Sequence, residues 1–296
     1  MKTIFSYLLI LVVITGVFAQ EHKQFYQMTN DEINDVIIKT SKTNLTITEK
    51  MNQLSELFLG MPYNFKCVGD GPYALMEPYP LVNFKETNCM SFCEHVLALS
   101  ISDSWDNFFN NLQHIRYKDG LIGMKTRNHY TMADWLPQNS WLLEDAANEV
   151  ATEYTKSVTR TISHQKFFAA KGMTDMSHVL PDRTIKVNYV PMDVLDQVQD
   201  KLKTGDILAL LFADKDDIFS AHMLMVVQRD GKKIIRESSN SKMSTFDTPI
   251  QEWIKAKQEM NPQKYLGVAV MRVREELNTP GKIIQPWEIA GLKGNN

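Results

Sequence analysis

The spacing of apolar residues divides the chain into a helical first part and a strand-rich last part. Thr29 to Glu32 and Thr46 to Glu49 have the Ser/Thr-x-x-Glu pattern of a capping box, and apolar residues at helical spacing follow each one. This pattern predicts helices up to about Phe58. The same spacing continues in Cys89 to Ser100 and in Trp105 to Ile115, which predicts two further helices.

The last third of the chain has short segments rich in Val, Ile, Leu and Met, separated by turn residues, which is typical of strands. The predicted strands are Thr184 to Val190, Asp206 to Ala213, Ala221 to Arg229, Lys233 to Glu237 and Leu266 to Arg274. Asp230-Gly231 favours a hairpin between two of them. Helices are predicted at Met192 to Leu202 and Pro249 to Met260. Helices first and strands later indicate an α+β fold with an antiparallel sheet.

Three segments between these elements lack a clear period. Gly60 to Pro80 is rich in Gly, Pro and Tyr, which predicts an ordered loop. Arg116 to Trp135 is polar, with many Tyr, His, Arg and Gly residues, and Trp141 to Pro181 has a mixed pattern that supports no assignment. No repeat or flexible linker interrupts the chain, so we predict one domain that carries a helical elaboration before it.

The first residues have the pattern of a secretory signal. Lys2 supplies a positive charge, Tyr7 to Phe18 is an apolar run, and Val17 and Ala19 are small residues spaced for cleavage. The run is shorter than the roughly 20 residues that a spanning helix needs, although an uncleaved anchor is the alternative. We therefore expect a mature protein beginning near Gln20, periplasmic or secreted, with no stable membrane insertion after cleavage.

Charge and cysteine content narrow the class of protein further. Without Lys2, 31 basic residues stand against 35 acidic ones, which argues against general binding of nucleic acid. Only Cys67, Cys89 and Cys93 are present, so a disulfide-dense scaffold is excluded and at least one thiol stays unpaired. That thiol is either an inert buried cysteine or a nucleophile, and the sequence leaves open whether Cys67 and Cys93 pair.

Cys89 is the better candidate nucleophile. It follows Asn88, a suitable N-cap, so it falls in the first turn of the predicted helix, where free N–H groups and the helix dipole stabilise a thiolate. Cys93 lies one turn further along the same face. There the dipole offers less stabilisation, and the neighbouring Phe92 and Val96 indicate packing.

His222 is the candidate base for this thiol. It opens the apolar strand segment Met223 to Val227, where an isolated histidine is unusual, although a structural histidine is the alternative. The strand paired with it through the hairpin delivers Glu237, which would accept a hydrogen bond from the imidazole and fix its tautomer. Ser239 and Asn240 are alternatives for this third position.

The polar segment supplies candidates for binding an anionic substrate. Arg116, Tyr117, Arg127, His129 and Tyr130 combine cations, phenols and an imidazole, although a surface loop would have the same composition. A zinc site that uses His129 and His222 is conceivable, but the chain has no HExxH or CxxC spacing to support it.

Five short segments match, in order, motifs of one known family. Leu59-Gly60-Met61-Pro62-Tyr63 is similar to Leu-Gly-x-Pro-Tyr, and Asn88-Cys89-Met90-Ser91-Phe92 is similar to the nucleophile motif Asp-Cys-x-Thr-Phe. Arg116 to Gly120 and Arg127 to Trp135 resemble Arg-Tyr-x-x-Gly and Arg-x-His-Tyr-x-x-x-Trp, and Ser220-Ala221-His222 resembles the histidine strand. The sequence thus resembles the N-acetylmuramoyl-L-alanine amidase-like family, a branch of the NlpC-type papain-like cell-wall cysteine hydrolases.

This resemblance implies a papain-like core in residues 59–296, after a signal peptide in residues 1–19 and a helical elaboration in residues 20–58. It implies hydrolysis of the amide between N-acetylmuramic or anhydromuramic acid and L-Ala of the stem peptide, with Cys89, His222 and Glu237 as catalytic residues. A peptidoglycan fragment would bind the six residues Tyr63, Arg116, Tyr117, Arg127, His129 and Tyr130, and no cofactor or metal would be required. A stem-peptide endopeptidase and a catalytically silent cell-wall binding protein are the alternatives.

Two positions depart from the family pattern. Asn88 stands where the family has Asp, and both side chains cap a helix, but the lost negative charge should make the Cys89 thiolate easier to form. Glu237 stands where a His-Ala-Ser-Ser run is expected. A carboxylate orients an imidazolium at least as well as a third histidine does.

Overall fold

A computed structural model describes residues 23–260 and 263–294, so the predicted signal peptide lies outside the described residues. Within these ranges the α-helices are α1 (Asn30–Ser41), α2 (Ile47–Glu56), α3 (Cys89–Ser100), α4 (Trp105–Arg116), α5 (Leu136–Gln138), α6 (Ala147–Ala151), α7 (His164–Ala170), α8 (Leu195–Val198), α9 (Ile250–Glu259) and α10 (Ile289–Gly294). None of these helices combines the length and apolarity needed to cross a membrane.

The described residues form one antiparallel sheet. Its strands are β1 (Leu143–Asp145), β2 (Lys156–Ile162), β3 (Arg183–Pro191), β4 (Ile207–Phe212), β5 (Ser220–Arg229), β6 (Lys232–Ser239), β7 (Ser244–Pro249) and β8 (Tyr265–Val273). They lie in the order β2-β3-β8-β4-β5-β6-β7, and β1 also pairs with β8. The predicted mixture of helices and antiparallel sheet is therefore confirmed.

Both faces of the sheet are covered by helices. In β4, Ile207, Ala209 and Leu211 face one apolar cluster, whereas Leu208 and Leu210 face the other. The first cluster includes buried residues of α1 to α4, and the second includes those of α6, α8 and α9. Because successive side chains of a strand point to opposite faces, a strand buried on both faces is apolar throughout. This explains the continuous apolar pattern of β4.

The helical predictions for the first part of the chain agree closely with the structure. Thr29 and Thr46 are N-caps with complete capping boxes, in which Glu32 and Glu49 accept hydrogen bonds from the cap N–H groups at 2.8 Å. The helix predicted from Cys89 begins and ends where expected. Since α1 and α2 belong to the same apolar cluster as α3, the N-terminal helices support the helix that carries Cys89.

The structure differs from the predictions at less apolar segments. The helix expected at Met192 to Leu202 is reduced to α8 and a 3-10 turn, because the chain first leaves β3 through a turn closed by the Val194 N–H and the Pro191 carbonyl. Strands β1, β2 and β7 were not predicted. β2 and β7 have many Ser, Thr and charged residues. Both are edge strands of the sheet, and the outer edge of such a strand has no neighbouring strand, so polar residues are tolerated there.

A buried ion pair ties the centre of the sheet together. Arg272 of β8 donates through Nε and Nη2 to the two carboxylate oxygens of Asp206, each at 2.7 Å, and both side chains are buried. Asp206 directly precedes β4 and also accepts from the Lys203 N–H at 2.7 Å. These contacts give the buried carboxylate its hydrogen-bond partners. The loss of one member of the ion pair would leave the other as a buried charge without this partner, which destabilises the folded protein.

We expect Asp206→Asn to lower the free energy of unfolding by about 3 kcal/mol, because Arg272 would lose its bidentate partner. Urea unfolding followed by circular dichroism measures this change. Glu276→Gln is the matched control, since Glu276 pairs with Arg274 at the surface and should contribute less than about 1 kcal/mol. Equal effects of the two substitutions would contradict the assignment.

Candidate active site

Cys89 is the first residue of α3, and the local sequence fixes it there. Asn88 caps the helix: its Oδ1 accepts from the Ser91 N–H at 2.8 Å, and the Asn88 N–H donates to Ser91 Oγ at 2.9 Å. Asn88 Nδ2 also donates to the Phe65 carbonyl at 3.1 Å, which ties the helix start to the preceding loop. The nucleophile candidate thus lies at the positive end of a twelve-residue helix.

All three cysteines are free thiols, and only Cys89 is partly exposed. Burial raises the pKa of Cys67 and raises that of Cys93 well above its ordinary value. Cys67 Sγ lies 3.3 Å from Ser91 Oγ, under the helix start. These two thiols are therefore protonated and inert near neutral pH, and no disulfide joins them in this structure.

A β-bulge directly precedes His222, the hydrogen-bond partner of Cys89. Leu210 of β4 pairs with His222, but the next residue, Leu211, pairs with Ser220, so Ala221 is an extra residue on β5. Bulges of this kind bend a strand and redirect a side chain. From Met223 onward the strand continues in register into the core. The sequence predicted the strand and the histidine but not the bulge.

Cys89, His222 and Glu237 lie in a continuous row. His222 Nε2 lies 2.7 Å from Glu237 Oε2, so Nε2 carries a proton and donates to the carboxylate. The Cys89 thiol is a hydrogen-bond partner of the same ring, which leaves Nδ1 to face the sulfur. This is the arrangement of nucleophile, base and orienting group that nucleophilic catalysis needs.

The protonation states favour an ion pair. Burial alone would raise the pKa of the Cys89 thiol, but His222 and the backbone N–H groups of Met223 and Met90 outweigh it, so the pKa lies below its ordinary value. Burial likewise opposes charge on His222, but hydrogen bonds and charge interactions with Cys89 and Glu237 raise its pKa to about 9. Both shifts favour a thiolate beside an imidazolium over a neutral thiol beside a neutral imidazole.

Glu237 is held as a carboxylate despite its burial. Burial would raise its pKa, but His222 lowers it, with smaller contributions from Lys257 and the Trp253 side chain of α9. Its side chain is 6% exposed. A buried carboxylate of this kind stabilises the imidazolium and fixes the ring orientation.

Cys89 and His222 line an open cleft of about 450 Å³. Its other walls come from the loop before α3, from the segment after α4 and from the end of α7. The residues that contribute to these walls include Phe65, Lys66, Val68, Met76, Glu77, Tyr79, Arg127, Asn128, His129, Thr131, Phe167 and Lys171. Among the described residues, no group of three or more His, Cys, Asp or Glu side chains is placed to hold a metal ion.

One wall of the cleft is built around Glu77. Arg127 Nη1 and Lys171 Nζ both donate to the Glu77 carboxylate, and Arg127 Nη1 also lies 3.6 Å from Asp70. Although burial favours the neutral acid, the two cations keep the pKa of Glu77 below its usual value. The cluster joins three separate segments of chain and gives the cleft a polar wall.

His129 contributes a neutral ring to this wall. Burial lowers its pKa to about 4, so the Nε2–H donates to the Met124 carbonyl at 2.7 Å without carrying a charge. The ring packs on Phe167, with 4.4 Å between centroids. His129 is therefore a rigid, uncharged part of the cleft.

Four of the six predicted substrate-binding residues lie at or next to the cleft. Arg127 and His129 line the cleft. Tyr63 lies near Cys89, whose negative charge contributes, after burial, to the raised pKa of the phenol. Tyr130 lines a small adjoining cavity, next to His129.

Two of the predicted substrate-binding residues are corrected, because Arg116 and Tyr117 are 1% and 0% exposed. Arg116 Nε donates to Glu94 at 2.7 Å, and Tyr117 donates to Asp70 Oδ1 at 2.9 Å. Burial leaves neither side chain a surface for a substrate. They support α3 and the cleft loop from within.

The sequence analysis does not identify several residues of the cleft wall, among them Glu77, Phe167 and Lys171. Glu77 lies in a loop without periodicity, and the other two lie in or directly after α7, in the segment whose mixed pattern supports no assignment. Ser163 is an N-cap whose Oγ accepts from the Lys166 N–H at 3.3 Å. That cap, followed by Phe167 and Phe168, was the available signal for this helix.

We expect Glu237→Gln to raise the pKa of the Cys89 thiol. Without the carboxylate, His222 is protonated less readily, so less imidazolium is present to stabilise the thiolate. The thiolate forms as the pH rises through this pKa, so the midpoint of the rise in alkylation rate should move to higher pH. Iodoacetamide labelling of Cys89, followed by mass spectrometry, measures the midpoint. An unchanged midpoint would show that Glu237 does not act through His222.

Asn88→Asp should also raise the pKa of the Cys89 thiol, since it keeps the cap but adds a negative charge beside the sulfur. The same labelling experiment tests it. Thermal unfolding provides the control: the midpoint temperature should stay close to that of the wild type, because either side chain accepts from the Ser91 N–H. A downward shift of the labelling midpoint would contradict the electrostatic argument.

Comparisons with known proteins place this chain in a family. A family model described as AmiA-like, N-acetylmuramoyl-L-alanine amidase-like, matches residues 53–260. A protein of Legionella pneumophila has a similar structure, with a TM-score of 0.71 and 19% identity, covering 86% of this chain and 97% of the other. An N-acetylmuramoyl-L-alanine amidase of Bacteroides uniformis has a TM-score of 0.61 and 24% identity, covering 77% of this chain and 99% of the other.

Among curated proteins, no significant match is found. At these identities the two solved structures show a shared fold. The family match covers most of the chain and includes the segments that carry Cys89, His222 and Glu237. The chain belongs to the N-acetylmuramoyl-L-alanine amidase-like family.

Proposed function

We propose that this protein is an exported cysteine hydrolase of peptidoglycan fragments, which cleaves the amide between N-acetylmuramic or anhydromuramic acid and L-Ala of the stem peptide. The observation that carries the proposal is the row of Cys89, His222 and Glu237 at an open cleft in a member of this family. The signal-like first residues support export to the periplasm or the medium.

A papain-like core of the NlpC type is part of the same proposal. Two features support it: the nucleophile candidate begins a helix that packs on an antiparallel sheet, and the base lies on that sheet. The third residue follows on the neighbouring strand β6. This core would use a thiol and an imidazole, with no metal or cofactor required for the proposed steps.

Catalysis begins with attack by the Cys89 thiolate on the carbonyl carbon of the lactyl group. The negative charge that develops on the carbonyl oxygen is stabilised by the Cys89 N–H, which lies in the first turn of α3, where the helix supplies no acceptor. His222 gives its proton to the nitrogen of L-Ala, and the carbon–nitrogen bond breaks. The stem peptide leaves, and a thioester remains on Cys89.

Hydrolysis of the thioester completes the cycle. His222, now neutral, takes a proton from water, which attacks the thioester carbonyl and breaks the carbon–sulfur bond. The muramic carboxylic acid is released and loses its remaining proton to solvent. The Cys89 thiolate re-forms beside the imidazolium. Glu237 keeps its hydrogen bond to Nε2 throughout, so the ring presents Nδ1 to the reacting atoms in both halves.

The cleft supports a substrate that has both polar and apolar parts. Arg127, Lys171 and Lys66 lie along it, and cations of this kind bind the carboxylates of a stem peptide. Tyr63, His129 and Tyr130 are proposed to hold the sugar and the first peptide unit. Arg127 is already paired with Glu77, so its side chain is held in place before the substrate binds and loses little conformational freedom on binding.

Mass spectrometry of a defined anhydromuropeptide tests the reaction. The wild type should release the intact stem peptide, and Cys89→Ala should reduce the rate by at least about a thousandfold, because the thioester cannot form. Cleavage within the peptide would instead establish an endopeptidase.

Cys93→Ala is the matched control, since Cys93 lies one turn further along α3 and is fully buried. It should retain activity, with loss of stability alone. If neither the wild type nor Cys89→Ala acted on the substrate, the proposed reaction would be wrong and a binding role would take its place.

A further inference from the structure

The loop that runs from Phe65 to Pro80 presents large apolar side chains to solvent at the edge of the cleft. Phe65, Tyr73 and Leu75 are 77%, 97% and 99% exposed. Met76, beside them, is 37% exposed. Four exposed large apolar side chains on one loop are unusual on a globular protein, and such a concentration is typical of a binding surface. We call these four residues the apolar rim.

The backbone under the apolar rim is ordered. The Gly69 N–H donates to the Pro80 carbonyl at 3.0 Å, Asp70 to Glu77 at 2.9 Å, and Gly71 to Tyr79 at 2.9 Å. A side chain at Gly69 would lie 2.3 Å from the Glu77 carbonyl, so the two arms of the loop pack directly on each other. The loop therefore holds its apolar side chains outward on a fixed support.

The apolar rim continues the wall of the catalytic cleft. Phe65 and Met76 line the cleft itself, whereas Tyr73 and Leu75 lie on the same loop beyond it. Phe65 is also joined to the nucleophile helix through its carbonyl, which accepts from Asn88 Nδ2. A substrate that is bound at Cys89 and extends past Phe65 and Met76 would pass over Tyr73 and Leu75.

We propose that the apolar rim binds the glycan chain beyond the reacting muramoyl unit, so that the protein prefers peptide-bearing oligosaccharides to single-sugar muropeptides. Pyranose rings have apolar C–H faces that pack on aromatic and aliphatic side chains while their hydroxyl groups stay in water. The stem peptide carries the carboxylates, and the cations of the cleft suit that part of the substrate. The proposal rests on the proposed function.

Charge makes a membrane a poorer occupant of the apolar rim. Surface binding to anionic lipid combines apolar side chains with an excess of Lys and Arg. Within the loop, Lys66 is accompanied by Asp70 and Glu77, so no such excess exists. Continuity with the cleft likewise favours the substrate over a second copy of the chain.

Steady-state kinetics on two substrates with the same stem peptide test the proposal: a single-sugar muropeptide and a tetrasaccharide. The wild type should have a kcat/KM about tenfold higher on the tetrasaccharide, mainly through a lower KM. Tyr73→Ala and Leu75→Ser should remove most of this preference. Their activity on the single sugar should change less than twofold, because neither side chain lines the cleft.

Leu121→Ser is the matched control, since Leu121 is also an exposed apolar residue but lies outside the loop that carries the apolar rim. Tyr73→Phe should keep the preference. Equal kcat/KM of the wild type on both substrates would overturn the inference and leave the proposed function intact, whereas inactivity on both would refute the proposed function.

A tetrasaccharide without peptide provides a readout that is independent of activity. Saturation-transfer NMR with Cys89→Ala should show contacts to this glycan, which Tyr73→Ala in the same background weakens. Dimerisation or binding to anionic vesicles that depends on Leu75, in place of glycan binding, would overturn the inference.

Discussion

The hydrogen-bonded pair of Cys89 and His222 is the interaction that the packing of this structure has to maintain. A thiolate is useful only if it is desolvated enough to react, yet desolvation itself favours the neutral thiol. Here the helix start, the imidazolium and nearby N–H groups together outweigh burial. The helix start belongs to α3, the imidazole to β5 and the Glu237 carboxylate that orients it to β6, so the pair exists only while these three elements keep their relative positions. The packed core on both faces of the sheet supplies that rigidity.

Internal polar contacts hold α3, the helix that carries Cys89, from its far side. Glu94 of α3 is paired with Arg116 of α4 inside the protein. His95 of the same helix donates to the Ser91 carbonyl at 2.6 Å, and burial lowers its pKa to about 3, so it remains neutral. The Glu94–Arg116 pair joins α3 to α4, and the Asn83 N–H donates to His95 Nε2 at 3.4 Å. These contacts hold α3 against rotation or sliding, which would separate the sulfur from the imidazole.

Sequence patterns predicted the parts of this structure that local chemistry determines. The capping boxes, the apolar strands and the position of Cys89 after Asn88 depend on neighbouring residues, so spacing was sufficient. Arg116 and Tyr117 were misassigned because a polar residue in a loop-like segment gives no sign of burial when its partners, Glu94 and Asp70, are distant in sequence. Lys171 and Glu77 were missed for the same reason: 94 residues separate them.

The bulge at Ala221 gives the strand two separate functions. From Met223 onward, β5 follows the alternation that the core requires, while the residues before that point follow the geometry of the cleft. The bulge requires an extra residue at position 221, but it does not require that this residue be alanine. Substitution by another small residue would be tolerated there, whereas deletion would move every preceding side chain to the other face of the strand. For this segment, the number of residues therefore matters more to the geometry of the site than their identity.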